Sequence, residues 1–150
     1  MPPTQSVEER IVDSIETALG AVSAGSTYNN AYPYIVRGGT SIPSKFPTLE
    51  LGITSDAITE SAYGDSGALS HRLTINVIGW AKSRSDIDRK LSEIKADVRV
   101  ALDADFSRGG IAHDTAFVSS DRDRMDDIGA IRMVYVVTYR DERNDPAQEV

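Results

Sequence analysis

The sequence predicts an α+β fold, a mostly antiparallel β-sheet of about four to five strands packed by two amphipathic helices. Three observations carry this. Apolar residues recur at helical spacing over Val7 to Val22 and over Ile87 to Leu102. Apolar and polar residues alternate over Leu69 to Ala81 and again over Ile128 to Arg140, the period of a strand. Glycine pairs at Gly38 and Gly109 punctuate the chain between these stretches. At 150 residues the chain has the length of one domain spanning 1–150, with flexible ends expected near 1–5 and 141–150.

The first helix is announced by Ser6 followed three residues later by Glu9, the spacing of a capping box, and by Ile11, Ile15, Ala18, Leu19 and Val22 on one face. Gly25 and Ser26 end it. A tyrosine-containing connection (Tyr28, Tyr32, Pro33) leads to a short strand, Tyr34 to Arg37, and a second strand is expected over Pro47 to Ile53. From about Thr54 to Ser70 the chain is polar and glycine-bearing, which reads as a long loop of the kind that tends to be functional.

In the strand over Leu69 to Ala81, Leu73, Ile75 and Val77 point one way, with Thr74, Asn76, Ile78 and Trp80 the other. The second helix has Ser85 as N-cap, Asp88 three residues on, and a stripe of Ile87, Leu91, Ile94, Val98 and Leu102. Burying five such side chains yields on the order of 10 kcal/mol. That does not offset a backbone entropy of about 1 to 2 kcal/mol per residue, so the helix must pack on a sheet. Ala112 to Ser120 forms a modest strand, Asp121 to Asp127 a solvated turn, and Ile128 to Arg140 a strand apolar on both faces, as in a central strand or one that meets a partner. Asp141 to Val150 is charged, contains Pro146, and is expected to fray.

The absence of cysteine excludes disulfides, thiolate nucleophiles and cysteine-based zinc sites. The start, MPPTQSVEER, lacks the features of a secretory signal, and no apolar run approaches a membrane span, so the default location is the cytoplasm of the producing cell. A net charge of -7 argues against gripping a nucleic-acid backbone, because phosphate binding replaces condensed counterions with Lys and Arg.

Gly64-Asp65-Ser66-Gly67 matches the nucleophile signature of chymotrypsin-like proteases. A serine nucleophile needs a base and a group that orients it. In that pattern both partners precede the serine, whereas His71 and His113 both follow Ser66, so a hydrolase reading fails on inventory. The run Asp121, Arg122, Asp123, Arg124, Met125, Asp126, Asp127 begins like a calcium loop, but Met125, Asp126 and Arg132 stand where ligands and the turn glycine belong. Nothing in the spacing of His71 and His113 supports a metal site, and neither glycine pair has the sequel of a phosphate or dinucleotide loop. No catalytic residue, metal or cofactor is expected. Trp80, Tyr34, Tyr63 and Phe46 fit either a binding surface or ordinary packing.

The leading "VEERIVDSIETAL", the run "HRLTINVIGWAKSRSDIDRKLSEIKADVRVAL" and the closing "IRMVYVVTYR" set out helix, long strand, amphipathic helix and final strand in order. This arrangement resembles the tail terminator and tail completion proteins of long-tailed (siphovirus-type) bacteriophages, and the resemblance covers most of the chain. It implies a non-enzymatic virion subunit, made in the host cytoplasm and residing in the tail or neck. Such a subunit assembles as a ring, expected to be a hexamer, caps the growing tail tube and forms the tail side of the head–tail joint. The implied partners are copies of itself, the tail tube protein and a head-completion or neck protein, and DNA passes through the lumen without specific binding. Net negative charge suits such a wall. Head-to-tail ring contacts use two different surfaces of each subunit, and the polar segments 54–70 and 121–127 are where they are expected. The candidate contact residues are Tyr63, Asp65, Ser66, Trp80, Arg122 and Arg124. The alternative is a small α+β regulatory or ligand-binding domain with a groove beside its sheet.

Overall fold

The computed structural model describes residues 5–25, 27–39, 41–61, 67–142 and 145–150. The order is α1 (Val7–Gly20), β1 (Tyr34–Arg37), β2 (Thr48–Ser61), β3 (Ala68–Lys82), α2 (Ile87–Asp103), β4 (Asp114–Met125), β5 (Ile128–Glu142) and β6 (Asp145–Glu149). The strands form one mixed sheet in the order β1-β2-β3-β5-β4, with β6 attached to the end of β5. β1 and β2 pair in parallel; β2–β3, β3–β5, β4–β5 and β5–β6 are antiparallel. The expected α+β class is the observed one.

The two longest strands make the spine. β3 and β5 pair continuously from Ala68↔Glu142 to Lys82↔Ile128, so one alternation sorts both onto two faces. His71, Leu73, Ile75, Val77 and Ala81 share the buried face with Ile131, Met133, Tyr135, Val137 and Tyr139. Both helices pack on that face. In α1, Ser6 Oγ accepts from the Glu9 amide at 3.2 Å, as its capping position predicts, and Val7, Ile11, Val12, Ile15 and Leu19 are buried. In α2 the predicted stripe of Ile87, Leu91, Ile94, Val98 and Leu102 is buried in full. The helix sits close because two sheet positions lack side chains. A Cβ at Gly79 would lie 2.4 Å from Ile94 Cγ2, and one at Gly129 would lie 2.7 Å from Ile87 Cγ1.

Polar anchors fix the connections. Asp97, on the buried side of α2, accepts from the Asn29 and Asn30 amides at 2.8 and 3.0 Å, from both Asn side chains, and from Tyr32 Oη at 2.7 Å. Burial and this carboxylate push the Tyr32 phenol well up from its ordinary value. At the far end of α2, Arg108 adopts a left-handed φ of 51° and turns its buried guanidinium onto the Leu102 and Asp105 carbonyls, a cation on the helix's negative end. Burial holds this guanidinium below its usual range. Arg37 of β1 binds Glu9, Asp13 and Glu16 of α1 together.

Several sequence expectations need correction. Most of the supposed loop from Thr54 to Ser70 is strand: β2 continues to Ser61 and β3 begins at Ala68. Register shifts between Ile53 and Ser55 and between Ile58 and Glu60 break the alternation. The side chains from Thr54 to Thr59 are exposed on both faces, so the pattern of a half-buried strand never develops there. The turn expected over Asp121 to Asp127 shrinks to Asp126 and Asp127, with Asp126 at φ 55°, because Asp121 to Met125 belong to β4. An edge strand is wet on both sides and tolerates alternating charge. Residues 145–149, expected to fray, form β6, held by Arg10 of α1 through the Ala147 carbonyl at 2.6 Å and Glu149 at 2.7 Å. The N-cap of α2 is Asp86 and not Ser85, with Ser83 Oγ accepting from the Asp86 amide.

Candidate assembly surface

Helices on one face leave the other open. Arg72, Thr74, Asn76, Ile78 and Trp80 of β3 lie there beside Ala130, Arg132, Val134, Val136 and Thr138 of β5. Gly39 and Ile42 reach onto this face. Gly39 lies against the Glu50 carboxylate, where an added Cβ would approach to 2.8 Å, and Ile42 borders Trp80. Burial raises the Glu50 carboxyl from its ordinary value, an effect the nearby Trp80 indole opposes. That indole Nε1–H is buried yet outside full hydrogen-bonding geometry.

A shallow cavity of about 150 Å³ lies at one end of this face, lined by Ile42, Trp80, Arg124, Met125, Ile128 and Ala130. Two of the predicted contact residues, Trp80 and Arg124, therefore border the same cavity, with Asp123 also in its lining. Arg124 also donates from Nε to the Asp126 carbonyl at 3.3 Å. Arg122 does not join them: its guanidinium turns to α2, donating to the Asp88 carbonyl and, at 2.9 Å, to Ser92 Oγ. Tyr63, Asp65 and Ser66 lie outside the described residues.

The sheet also ends on two unlike edges. β4 has β5 on one side and no strand on the other among the described residues. On the opposite margin β1 covers β2 only from Thr48 to Leu51. Ile53 and Ile58 beyond it are 46% and 51% exposed, as are Val118 (53%) and Met125 (58%) on β4. Large apolar side chains thus cluster along both free edges.

Sequence reasoning missed a polar cluster under the helix-side face. His71 presents Nδ1 to Asp56 at 3.0 Å and Nε2 to Asp141 at 2.8 Å. Its ring stacks on Tyr139 at 4.4 Å and 9°, and the Tyr139 hydroxyl donates to Asp56 at 3.2 Å. Burial, then the negative charge of Asp56, raises the Tyr139 phenol, while burial followed by Asp56 raises the Glu8 carboxyl facing the same cluster. The arrangement ties β2, β3 and β5 together. With both nitrogens engaged by carboxylates, His71 has none left to take a proton from a serine. A signal was present in the sequence: a histidine standing in register with Leu73, Ile75 and Val77 on an apolar face. Among the described residues no group of three His, Asp or Glu side chains is disposed to hold a metal ion, and no helix is long and apolar enough to cross a membrane.

No family model matches the chain, and no curated protein matches it. Among solved structures it is similar to a chain of the virion of a native gene transfer agent particle, at 10% identity and a TM-score of 0.43, covering 91% of this chain and 92% of that one. The functional reading rests on the surfaces themselves.

Proposed function

We propose that this chain is a structural virion subunit of the tail terminator or tail completion kind. It assembles as a ring, a hexamer in this reading, caps the tail tube, and offers the tail side of the joint with the head. The supporting observation is the sheet itself, which carries an uncovered face flanked by two unlike free edges. A subunit with two different sticky margins makes head-to-tail contacts, and such contacts close into a ring when the rotation permits. The net charge of -7 suits a lumen through which DNA moves without being held. The occupied nitrogens of His71 support a role without catalysis.

The test is native mass spectrometry and negative-stain imaging of the purified chain, alone and with tail tubes. Closed rings, free or on tube ends, are expected. A chain that stays monomeric at high concentration and ignores the tubes would overturn this reading.

A further inference from the structure

We propose that copies of this chain join edge to edge, the free length of β2 receiving β4 of the next copy as an antiparallel strand, so that the sheet continues from subunit to subunit. The inference rests on the ring reading above and specifies its contact.

Strand direction permits this without inverting either copy. From β2 to β3, to β5, to β4, every step is antiparallel. β4 therefore runs opposite to β2, and a copy placed beside β4 with the same face outward brings its own β2 alongside in antiparallel sense. The lengths agree: β4 has twelve residues, and β2 has fourteen, of which β1 covers four and leaves ten from Gly52 to Ser61. Among the described residues no strand lies beside either margin, and the backbone N–H and C=O groups of such an edge are the template on which a further strand adds. Neither stretch contains proline or lysine, residues that commonly blunt an exposed edge. The exposed Ile53 and Ile58 on one side and Val118 on the other supply apolar area that pairing would cover.

The irregularities set the register. β2 breaks register after Ile53 and after Ile58, and β4 between Phe117 and Ser119. Regular pairing is thereby confined to short stretches, Ser55 to Ile58 meeting part of Ser119 to Met125, which makes a contact specific to one partner and not a seed for indefinite stacking.

Because the chain has no cysteine, engineered disulfides read the contact directly. Ala57 faces the bare side, opposite Arg72, as do Ser119, Asp121 and Asp123 of β4. Cross-strand neighbours on one face bring Cβ atoms within disulfide reach. Chains carrying Ala57→Cys with Ser119→Cys, Asp121→Cys or Asp123→Cys are oxidised in the assembled state and run on a denaturing gel. One of the three should give a ladder of covalent oligomers ending at the ring size. Ala57→Cys with Ser120→Cys, whose side chains face opposite sides, should not, nor should any single variant. All these positions but Ser120 are exposed, and circular dichroism checks that each variant folds. Rings that form without a ladder in any of the three overturn the edge contact and leave the ring reading standing. Failure to assemble, free or on tubes, overturns both.

Discussion

His71 and Asp141 sit 70 residues apart in sequence and face each other from neighbouring strands, Nε2 2.8 Å from Oδ1 with both side chains buried. Asp56 closes the other side of the imidazole. Replacing His71 with Phe keeps a ring to stack on Tyr139 but takes the imidazole away from the buried Asp141 and leaves Asp56 with the Tyr139 hydroxyl. Uncompensated buried charge is costly, so His71→Phe should lower unfolding stability by about 3 to 5 kcal/mol. Adding Asp141→Asn to that variant should recover part of the loss; urea unfolding of the two variants and the parent measures it.

Glu50 gives a pH signature. Burial raises its folded-state value above the unfolded one. The folded chain then binds the proton more tightly, so this carboxyl stabilises least where it is ionised: its contribution is fully present below the ordinary glutamate range and is lost as pH rises through the folded value. Glu50→Gln, which stays neutral, should raise the melting temperature at about pH 7 and change it little at about pH 4. An equal shift at both values would show that the charge is irrelevant. Glu8 is raised in the same sense, and Glu8→Gln should behave alike.

The seating of α2 on Gly79 and Gly129 predicts a steric penalty. The Cβ of Gly79→Ala would collide with Ile94, and that of Gly129→Ala with Ile87 and Leu91. Each should cost about 1 to 3 kcal/mol from overpacking. Because one helix displaced outward relieves both clashes, the double variant should cost less than the sum. Strict additivity in chemical denaturation would mean that α2 does not move as a unit.

Asp97 should control the segment that precedes β1. Five donors from Asn29, Asn30 and Tyr32 converge on its two oxygens. Asp97→Ala should destabilise by about 2 to 4 kcal/mol, since five donors, the buried Tyr32 hydroxyl among them, lose their acceptor at once. Amide exchange at Asn29 and Asn30 should accelerate more than exchange in β3 and β5. Uniform acceleration would contradict a local anchor.

The helices and the two central strands were legible because their patterns are local. Ile87, Leu91, Ile94, Val98 and Leu102 mark a face without reference to anything else, and Leu73, Ile75 and Val77 do the same at the other period. What escaped is what only distant residues decide. β6 exists through its pairing with β5 and the grip of Arg10, and the outer part of β2 through its pairing with β3, where Thr54 to Thr59 are exposed and no burial imprints an alternation. The two polar anchors left a trace nonetheless. Asp97 stands three residues after Ile94 and four before Ala101, on the apolar face, and His71 stands two before Leu73. A charged or titratable group on an apolar face must find partners in the fold, and both did. Of the candidate contact residues, Trp80 and Arg124 border one cavity because β3 and β4 flank β5 at the same end of the sheet, an adjacency that strand order decides and spacing does not.

The uninterrupted pairing of β3 with β5 also has a mechanical meaning. Fifteen residues of each strand stay in register with no bulge, so a pull along the strands loads the whole ladder at once, whereas a pull across them opens it bond by bond. The four-residue β1, paired on one side only, peels first under either load. The fold is therefore anisotropic, stiff along its central strands and soft at the β1 margin, and a single-molecule pulling experiment with handles at the opposite ends of β3 and β5 should meet far more resistance in shear than in unzipping.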